Sequence, residues 1–241
     1  MIDDFLLLKR RPYRDRDAIV EGVGRVTGRF SAVVKGRSGA GGFEAPALLR
    51  VKLMPGQSGM GVLSGPVLQH SYSSLRRSLD ALMVAGFLGR LFLAVLPERM
   101  TEEAVYELLE QAFASLDRGR SPVLLALWAQ DRLLCVLGLG PHLNSCLGCD
   151  SLRIVGFSGV SGGLLCDSCY SGSGFAMSSE ALSVCRSLRF QALEEFCSLS
   201  LSPEAVRSLG RLYKEQFIHH LGLSPSLFRR VLPVRAVRVH E

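Results

Sequence analysis

No stretch of the sequence is an uninterrupted apolar run of membrane length. The richest one, Leu79 to Leu96, is broken by Asp80 and Arg90, short of the roughly 20 consecutive apolar residues that cross a bilayer, and it predicts a buried helix. An export signal is missing too. Asp3 and Asp4 stand where a leader carries positive charge, and Lys9, Arg10 and Arg11 interrupt the place of its apolar segment, so the expected location is the cytoplasm. A phosphate loop of the form G-x-x-x-x-G-K-[ST] and the H-x-E pattern of zinc deaminases are both absent. The sequence shows no internal repeat and no low-complexity tail. Enzymatic chemistry and a small-molecule substrate are therefore not expected.

Hydrophobic residues make up 48% of the 241 and charged residues 21%, a balance that excludes disorder and predicts one large or two small globular domains. The net charge of +6 is unevenly placed. Residues 1–77 carry +7, residues 78–200 carry −5 and residues 201–241 carry +4. Such asymmetry suggests a polyanion-binding part joined to a part with another job.

Residues 1–77 read as β structure. Ile2 to Arg11, Ala18 to Val26, Arg29 to Arg37, Leu48 to Met54 and Gly61 to His70 are short runs rich in Val, Leu and Phe, separated by Gly, Pro, Asp and Ser. Five short strands is the count of an OB-fold, a partly open barrel that commonly binds oligonucleotides, although SH3-like barrels have a similar count. Ser38 to Pro46, with three glycines, predicts a loop. Residues 78–241 read as a helical domain interrupted at 144–175. Val105, Leu108, Leu109, Ala112, Phe113 and Leu116 form one apolar stripe behind a Thr101 cap and the acids Glu102 and Glu103. Val123 to Leu139 is apolar nearly all round, which predicts a central helix ended by Gly140-Pro141. Glu180 to Cys197 predicts one helix and Pro203 to Leu221 another, the latter with Ser202 as cap and Gly222 past its end.

The interruption carries the most specific pattern. Cys146-Leu-Gly-Cys149 and Cys166-Asp-Ser-Cys169 are two C-x-x-C arms sixteen residues apart. Each arm offers two thiolates from a tight turn, and together they close a tetrahedron around one zinc ion, as in a zinc ribbon or finger. Four thiolates leave no open position for water or substrate, so the expected zinc is structural. Cys135, Cys185 and Cys197 stand among apolar neighbours at helical spacing and read as small buried hydrophobes. His70, His142, His219, His220 and His240 form no metal spacing with one another. The adjacent pairs Asp3-Asp4 and Glu194-Glu195 read as solvated charges.

Lys9, Arg10, Arg11, Arg14 and Arg16 surround the first turn of the expected barrel, and Arg25, Arg29, Lys35 and Arg37 belong to its second and third strands or their ends. Converging on one face, they would neutralise phosphates and release counterions, giving salt-sensitive binding with little sequence preference. Tyr13 and Phe30 lie among them as possible stacking groups. Arg207, Arg211 and Lys214 recur on one helix face and, with Arg229, Arg230, Arg235 and Arg238, could form a second phosphate-binding site.

Gly28-Arg29-Phe30-Ser31-Ala32-Val33-Val34-Lys35-Gly36-Arg37 on the third strand, a preceding strand ending in basic residues and Tyr13, a helical domain, and the C-x2-C-x16-C-x2-C insertion ahead of two last helices follow one another in an order that resembles the DNA repair protein RecO family over essentially the whole chain. The resemblance implies a recombination mediator without enzymatic activity. Such a protein binds single- and double-stranded DNA, anneals complementary strands, and works with RecR and single-stranded-DNA-binding protein to load the recombinase. It further implies that Lys35 and Arg37, with Arg10, Arg11, Arg14 and Arg29, contact DNA, and that Cys146, Cys149, Cys166 and Cys169 hold zinc. The residues alone also permit an OB-fold RNA-binding or ribosome-associated zinc-ribbon protein, because phosphate attraction does not distinguish RNA from DNA.

Overall fold

The computed structural model describes residues 1–14, 17–35, 43–54, 61–100, 102–170 and 174–229. It divides into two compact units, Met1–Gly119 and Arg120–Glu241. The first unit contains the five expected strands: β1 (Ile2–Tyr13), β2 (Asp17–Gly24), β3 (Gly28–Val34), β4 (Ala47–Met54) and β5 (Gly61–His70). They close into a barrel in the order β1-β2-β3-β5-β4, the OB arrangement. Closure depends on the parallel pairing of β3 with β5 at Ala32–Gly61, Val33–Val62 and Val34–Leu63. The long β1 serves both neighbours, pairing with β4 along Ile2–Leu7 and with β2 along Phe5–Tyr13, and it changes register between Leu7 and Lys9. Phe5, Leu7, Val20, Phe30, Ala32, Val34, Leu49 and Val51 fill the interior. Phe30 is core: its ring stacks on Phe5 at 4.5 Å.

Asp3 is a correction to the sequence reading. Asp3 is only 3% exposed, and its carboxylate accepts from the amides of Val26 (3.0 Å) and Thr27 (2.9 Å) and from the Thr27 hydroxyl (2.6 Å). Its chain position across from the β2–β3 turn supplies those partners; Asp4, one residue on, faces outward and pairs with Arg50 at 2.9 Å.

Helices α1 (Leu79–Val95) and α2 (Glu103–Asp117) complete this unit. Thr101, the expected cap of α2, lies outside the described residues, and Glu102 occupies the cap position. Asp117, at the end of α2, accepts from the amides of Ser74 (2.8 Å) and Leu75 (3.1 Å) and from His70 Nε2 (3.0 Å), and so fixes the short 3-10 turn Leu75–Arg77 that follows β5. Burial pushes the Asp117 carboxyl up, but the His70 bond and the two amides outweigh it and hold it below its ordinary value of 3.8. Because the folded pKa is depressed, this contribution to stability is complete above pH values near 3.8 and is lost as pH falls through the lower folded value. Asp117→Asn is expected to flatten that acid limb and to cost about 1–3 kcal/mol at neutral pH; urea melts at pH 3 and pH 7 measure both.

The second unit is built on α3 (Pro122–Val136), which is buried all round as its composition predicts. It stops ahead of Gly140-Pro141. Gly138 takes a left-handed φ of 72°, its amide bonds the Cys135 carbonyl (3.0 Å), and the Leu139 amide reaches back to Leu134 (2.8 Å). This is a Schellman ending, which only a residue without Cβ adopts cheaply. The expected helix from Glu180 to Cys197 is likewise two, α4 (Ser179–Leu188) and α5 (Leu193–Phe196). The Arg132 guanidinium donates to the carbonyls of Arg189 (3.0 Å), Leu188 (3.1 Å) and Gln191 (3.4 Å). A tertiary donor thus satisfies carbonyls that a continuing helix would use, and the chain turns there. Helix α6 (Pro203–Leu221) keeps its expected bounds, with Ser202 Oγ accepting from the Ala205 amide at 3.1 Å.

Among the described residues, no helix is long and apolar enough to cross a membrane. Cys185 is buried and Cys135 and Cys197 are half-buried. Burial pushes the Cys185 thiol up to about 12 and Cys197 up to about 11, so both stay protonated and inert at neutral pH.

Candidate metal site and nucleic-acid interface

The two C-x-x-C arms sit on a small three-stranded sheet of order β7-β6-β8, formed by β6 (Ile154–Ser158), β7 (Gly163–Cys166) and β8 (Phe175–Ala176). The first arm turns tightly: the Asp150 amide bonds the Cys146 carbonyl (2.9 Å) and the Gly148 amide points at Cys146 Sγ (3.4 Å). The second arm does the same, with the Cys169 and Tyr170 amides on the Cys166 carbonyl. Gly148 lies against the opposite arm, and a Cβ there would stand 2.8 Å from Cys169 Sγ.

All four Sγ atoms lie within 4.8 Å of one another, and Cys149 Sγ is 3.5 Å from Cys166 Sγ. Tetrahedral thiolates about 2.3 Å from a metal stand roughly 3.8 Å apart, whereas a disulfide needs about 2.05 Å. The spacing therefore suits a metal ion and not a sulfur–sulfur bond. The titration of the set points the same way. The amides of Cys166, Gly148 and Cys149 hold the Cys146 thiol down, to about 6, while crowding by Cys149, Cys146 and Cys166 pushes Cys169 up to about 12. Cys146 thus ionises readily while its neighbours push Cys149 and Cys169 up, and a cation at the centre would favour the thiolate form of the set. The four residues the sequence singled out could hold a metal ion, and among the described residues no histidine or carboxylate joins them.

The sheet is tied to the helix behind it. His220 Nε2 bonds the Gly159 carbonyl in the β6–β7 turn (3.0 Å), and the Arg211 guanidinium lies over the Phe175 ring at 4.2 Å while pairing with Glu215; Gln216 Nε2, on the same helix, donates to the Leu139 carbonyl just past α3 (2.9 Å). Arg211 is thus engaged in packing; Arg207 is exposed and Lys214 half-buried. Arg230, Arg235 and Arg238 lie outside the described residues. Gly159-Val160-Ser161-Gly162-Gly163 has the spacing of a nucleophile elbow, but it links strand β6 to strand β7 instead of strand to helix, and the Ser161 hydroxyl accepts from Ser158 Oγ at 3.2 Å instead of facing a histidine base. Periodicity gave no sign of the buried Asp131, fully enclosed on α3 and facing Tyr213 Oη (3.4 Å) and Arg189 Nε (3.8 Å).

The barrel register decides where the basic residues fall. Pro12 pairs with Ala18 and Ala18 with Val34, so the end of β1, the start of β2 and the end of β3 lie side by side. Arg10, Arg11, Arg14 and Lys35 are gathered at this end, all exposed, and Arg14 lies 5.1 Å from the centre of the half-buried Tyr13 ring. Arg10 also borders a small apolar recess with Leu7, Val20, Val34 and Phe43. Lys9 and Arg11 share the half-buried Glu21, at 3.4 and 3.9 Å, while both cationic side chains stay exposed. Arg29 lies at the other end of β3, opposite Val23, and its guanidinium donates to the Leu96 carbonyl. Arg25 is bound to Glu103 and Glu107 and stacks on Tyr106. Arg16 and Arg37 lie outside the described residues.

A closed OB barrel with a cationic end, followed by helices and a small sheet whose four cysteines could hold a metal ion, places the chain in the class of barrel-plus-helix proteins with a four-cysteine insertion. Comparison with known proteins makes the class specific. The family model described as "Recombination protein O C terminal" matches residues 76–227. The DNA repair protein RecO of Symbiobacterium thermophilum is 34% identical over 179 residues, 69% of this chain and 70% of its own. That of Exiguobacterium sibiricum is 30% identical over 173 residues, with 69% and 70% covered, and that of Bacillus velezensis is 26% identical over 225 residues, with 90% and 88% covered. The chain belongs to the DNA repair protein RecO family.

Proposed function

We propose that this protein is a DNA-binding recombination mediator of DNA repair that catalyses no reaction. It binds single- and double-stranded DNA through the cationic end of the barrel, anneals complementary strands, and helps to load the recombinase together with RecR and single-stranded-DNA-binding protein. The domain of residues 1–77 provides the DNA contacts, residues 78–241 the helical scaffold, and the module at 144–175 binds one zinc ion for structure. The protein works in the cytoplasm, at the nucleoid. The observation that carries this reading is the gathering of Arg10, Arg11, Arg14 and Lys35 at one end of an OB barrel in a chain of the RecO family. Phosphates attract such a cluster on any strand, and release of condensed counterions drives the association. Zinc follows from the donor set, since a tetrahedral group of four thiolates favours zinc among the common divalent ions.

The deciding experiment is fluorescence anisotropy of a labelled single-stranded DNA at several salt concentrations, repeated with RNA of the same sequence and followed by addition of the complementary DNA strand. Binding that weakens steeply with salt, together with faster pairing of the complement, is expected. A clear preference for RNA would transfer the barrel to an RNA-binding role, and lack of any DNA binding at low salt would refute the mediator.

A further inference from the structure

The sequence contains seven cysteines, and the fold treats them unequally. Cys146 is fully buried, Cys166 is 4% exposed and Cys185 is buried, while Cys135, Cys169 and Cys197 are half-buried. Among the described residues, which include all seven, Cys149 alone is exposed. The first arm explains the difference between its own two sulfurs. The amides of Cys146 and Leu147 bond the carbonyls of Ser151 (2.9 Å) and Leu164 (3.0 Å), which seats the start of the arm on β7. Leu147 to Asp150 then form an exposed tip, with Asp150 at a left-handed φ of 58° turning the chain back.

Cys149 Sγ also lies 3.5 Å from Cys166 Sγ on the opposite arm. An accessible sulfur with a second, sheltered sulfur beside it is the arrangement in which a first oxidation is resolved to a disulfide, because susceptibility follows thiolate character and exposure. The buried Cys146 and Cys166 offer an oxidant no comparable approach.

We propose that Cys149 is an oxidation site: a peroxide enters the four-cysteine cluster at this sulfur and leaves a Cys149–Cys166 disulfide in place of the metal. The proposal rests on the zinc reading above. The Cys149 thiolate attacks one oxygen of hydrogen peroxide, the O–O bond breaks, hydroxide leaves and a sulfenic acid remains. The Cys166 thiolate then attacks that sulfur, the S–O bond breaks, a second hydroxide leaves and the S–S bond forms. Two thiolates have lost two electrons and the peroxide has gained them. Cys146 and Cys169 remain, one ligand on each arm where a structural zinc takes four, and the ion departs as Zn2+. The brace of the second unit is thereby removed, while the barrel, which has no cysteine, keeps its cationic end.

The experiment treats zinc-loaded full-length protein with graded hydrogen peroxide, reads released zinc with a chromogenic indicator, and maps disulfides by mass spectrometry of a tryptic digest. Arg153 lies between the arms, so a disulfide across the arms joins two tryptic peptides and one within an arm does not. Release of one zinc ion per chain is expected in step with the joined species, with fragmentation assigning Cys149 and Cys166, and a dithiol with added zinc should reverse both. Cys149→His and Cys169→His each keep four ligands, since zinc also accepts three thiolates and one imidazole. Cys149→His is expected to slow release about tenfold, and Cys169→His to stay within about twofold of wild type. Should either variant fail to load zinc, limiting iodoacetamide on the wild type, mapped in the same digest, decides instead, and Cys149 is the cysteine expected to be labelled first. Equal release from the two loaded variants, a disulfide confined to one arm, or first labelling at another cysteine would overturn the proposal. A wild type that takes up no zinc before peroxide is added would instead strike the zinc reading.

Discussion

Cys146→Ser and Cys166→Ser are each expected to reduce bound zinc from one ion per chain to nearly none and to unfold much of the second unit. Structural zinc supplies about 10–16 kcal/mol to isolated finger peptides at neutral pH. Part of that is replaced here by contacts of the sheet with α6, such as His220 on Gly159 and Arg211 over Phe175. A net loss of about 3–5 kcal/mol, or roughly 10 °C in melting midpoint, is the expected remainder. The single tryptophan, Trp128, is 5% exposed on α3 within the same unit, so its emission reports this unfolding directly. DNA binding by the barrel should survive, since none of the four cysteines belongs to the first unit. Unchanged melting curves for both variants, with metal still bound, would remove these thiols from the role given to them.

Reversing charge at Lys35 and Arg37 together should weaken DNA binding by about 100-fold or more at moderate salt and lower the salt dependence by about two phosphate contacts. Neutralising Arg29 should act differently. Its guanidinium is committed to the Leu96 carbonyl, so Arg29→Gln is expected to lower the melting midpoint of the first unit while leaving the salt slope unchanged. A salt slope equal to wild type in the Lys35 and Arg37 double variant would exclude both from the interface.

How much of this was legible beforehand varies with the kind of information each feature needs. The strands of the barrel show as short apolar runs between turn residues, and β4 and β5 even keep their expected ends to within a residue. Helix α6 is announced by Ser202, Pro203 and Gly222, all local signals. The four cysteines are legible because metal-ligand spacing is itself a short-range constraint, two residues within an arm and one hairpin between arms. By contrast, the break between α4 and α5 depends on Arg132, more than fifty positions away along the chain, and no window of sequence around the break contains it. Asp3 reads as a solvated acid until the β2–β3 turn is folded over it.

The sequence by itself thus determined the strand and helix content, the cationic character of the first 77 residues and the set of four cysteines that could hold a metal ion, because periodicity, capping and C-x-x-C spacing act over a few residues. The tertiary structure alone decided the parallel β3–β5 closure, which basic residues gather at one barrel end, and which arginines are consumed as donors to distant carbonyls. The physical reason is that a charge is free or committed according to the groups its folded neighbours bring within about 3 Å, and two side chains of identical chemistry, Arg10 exposed at the barrel end and Arg132 between three carbonyls, cannot be told apart until the chain has closed around them.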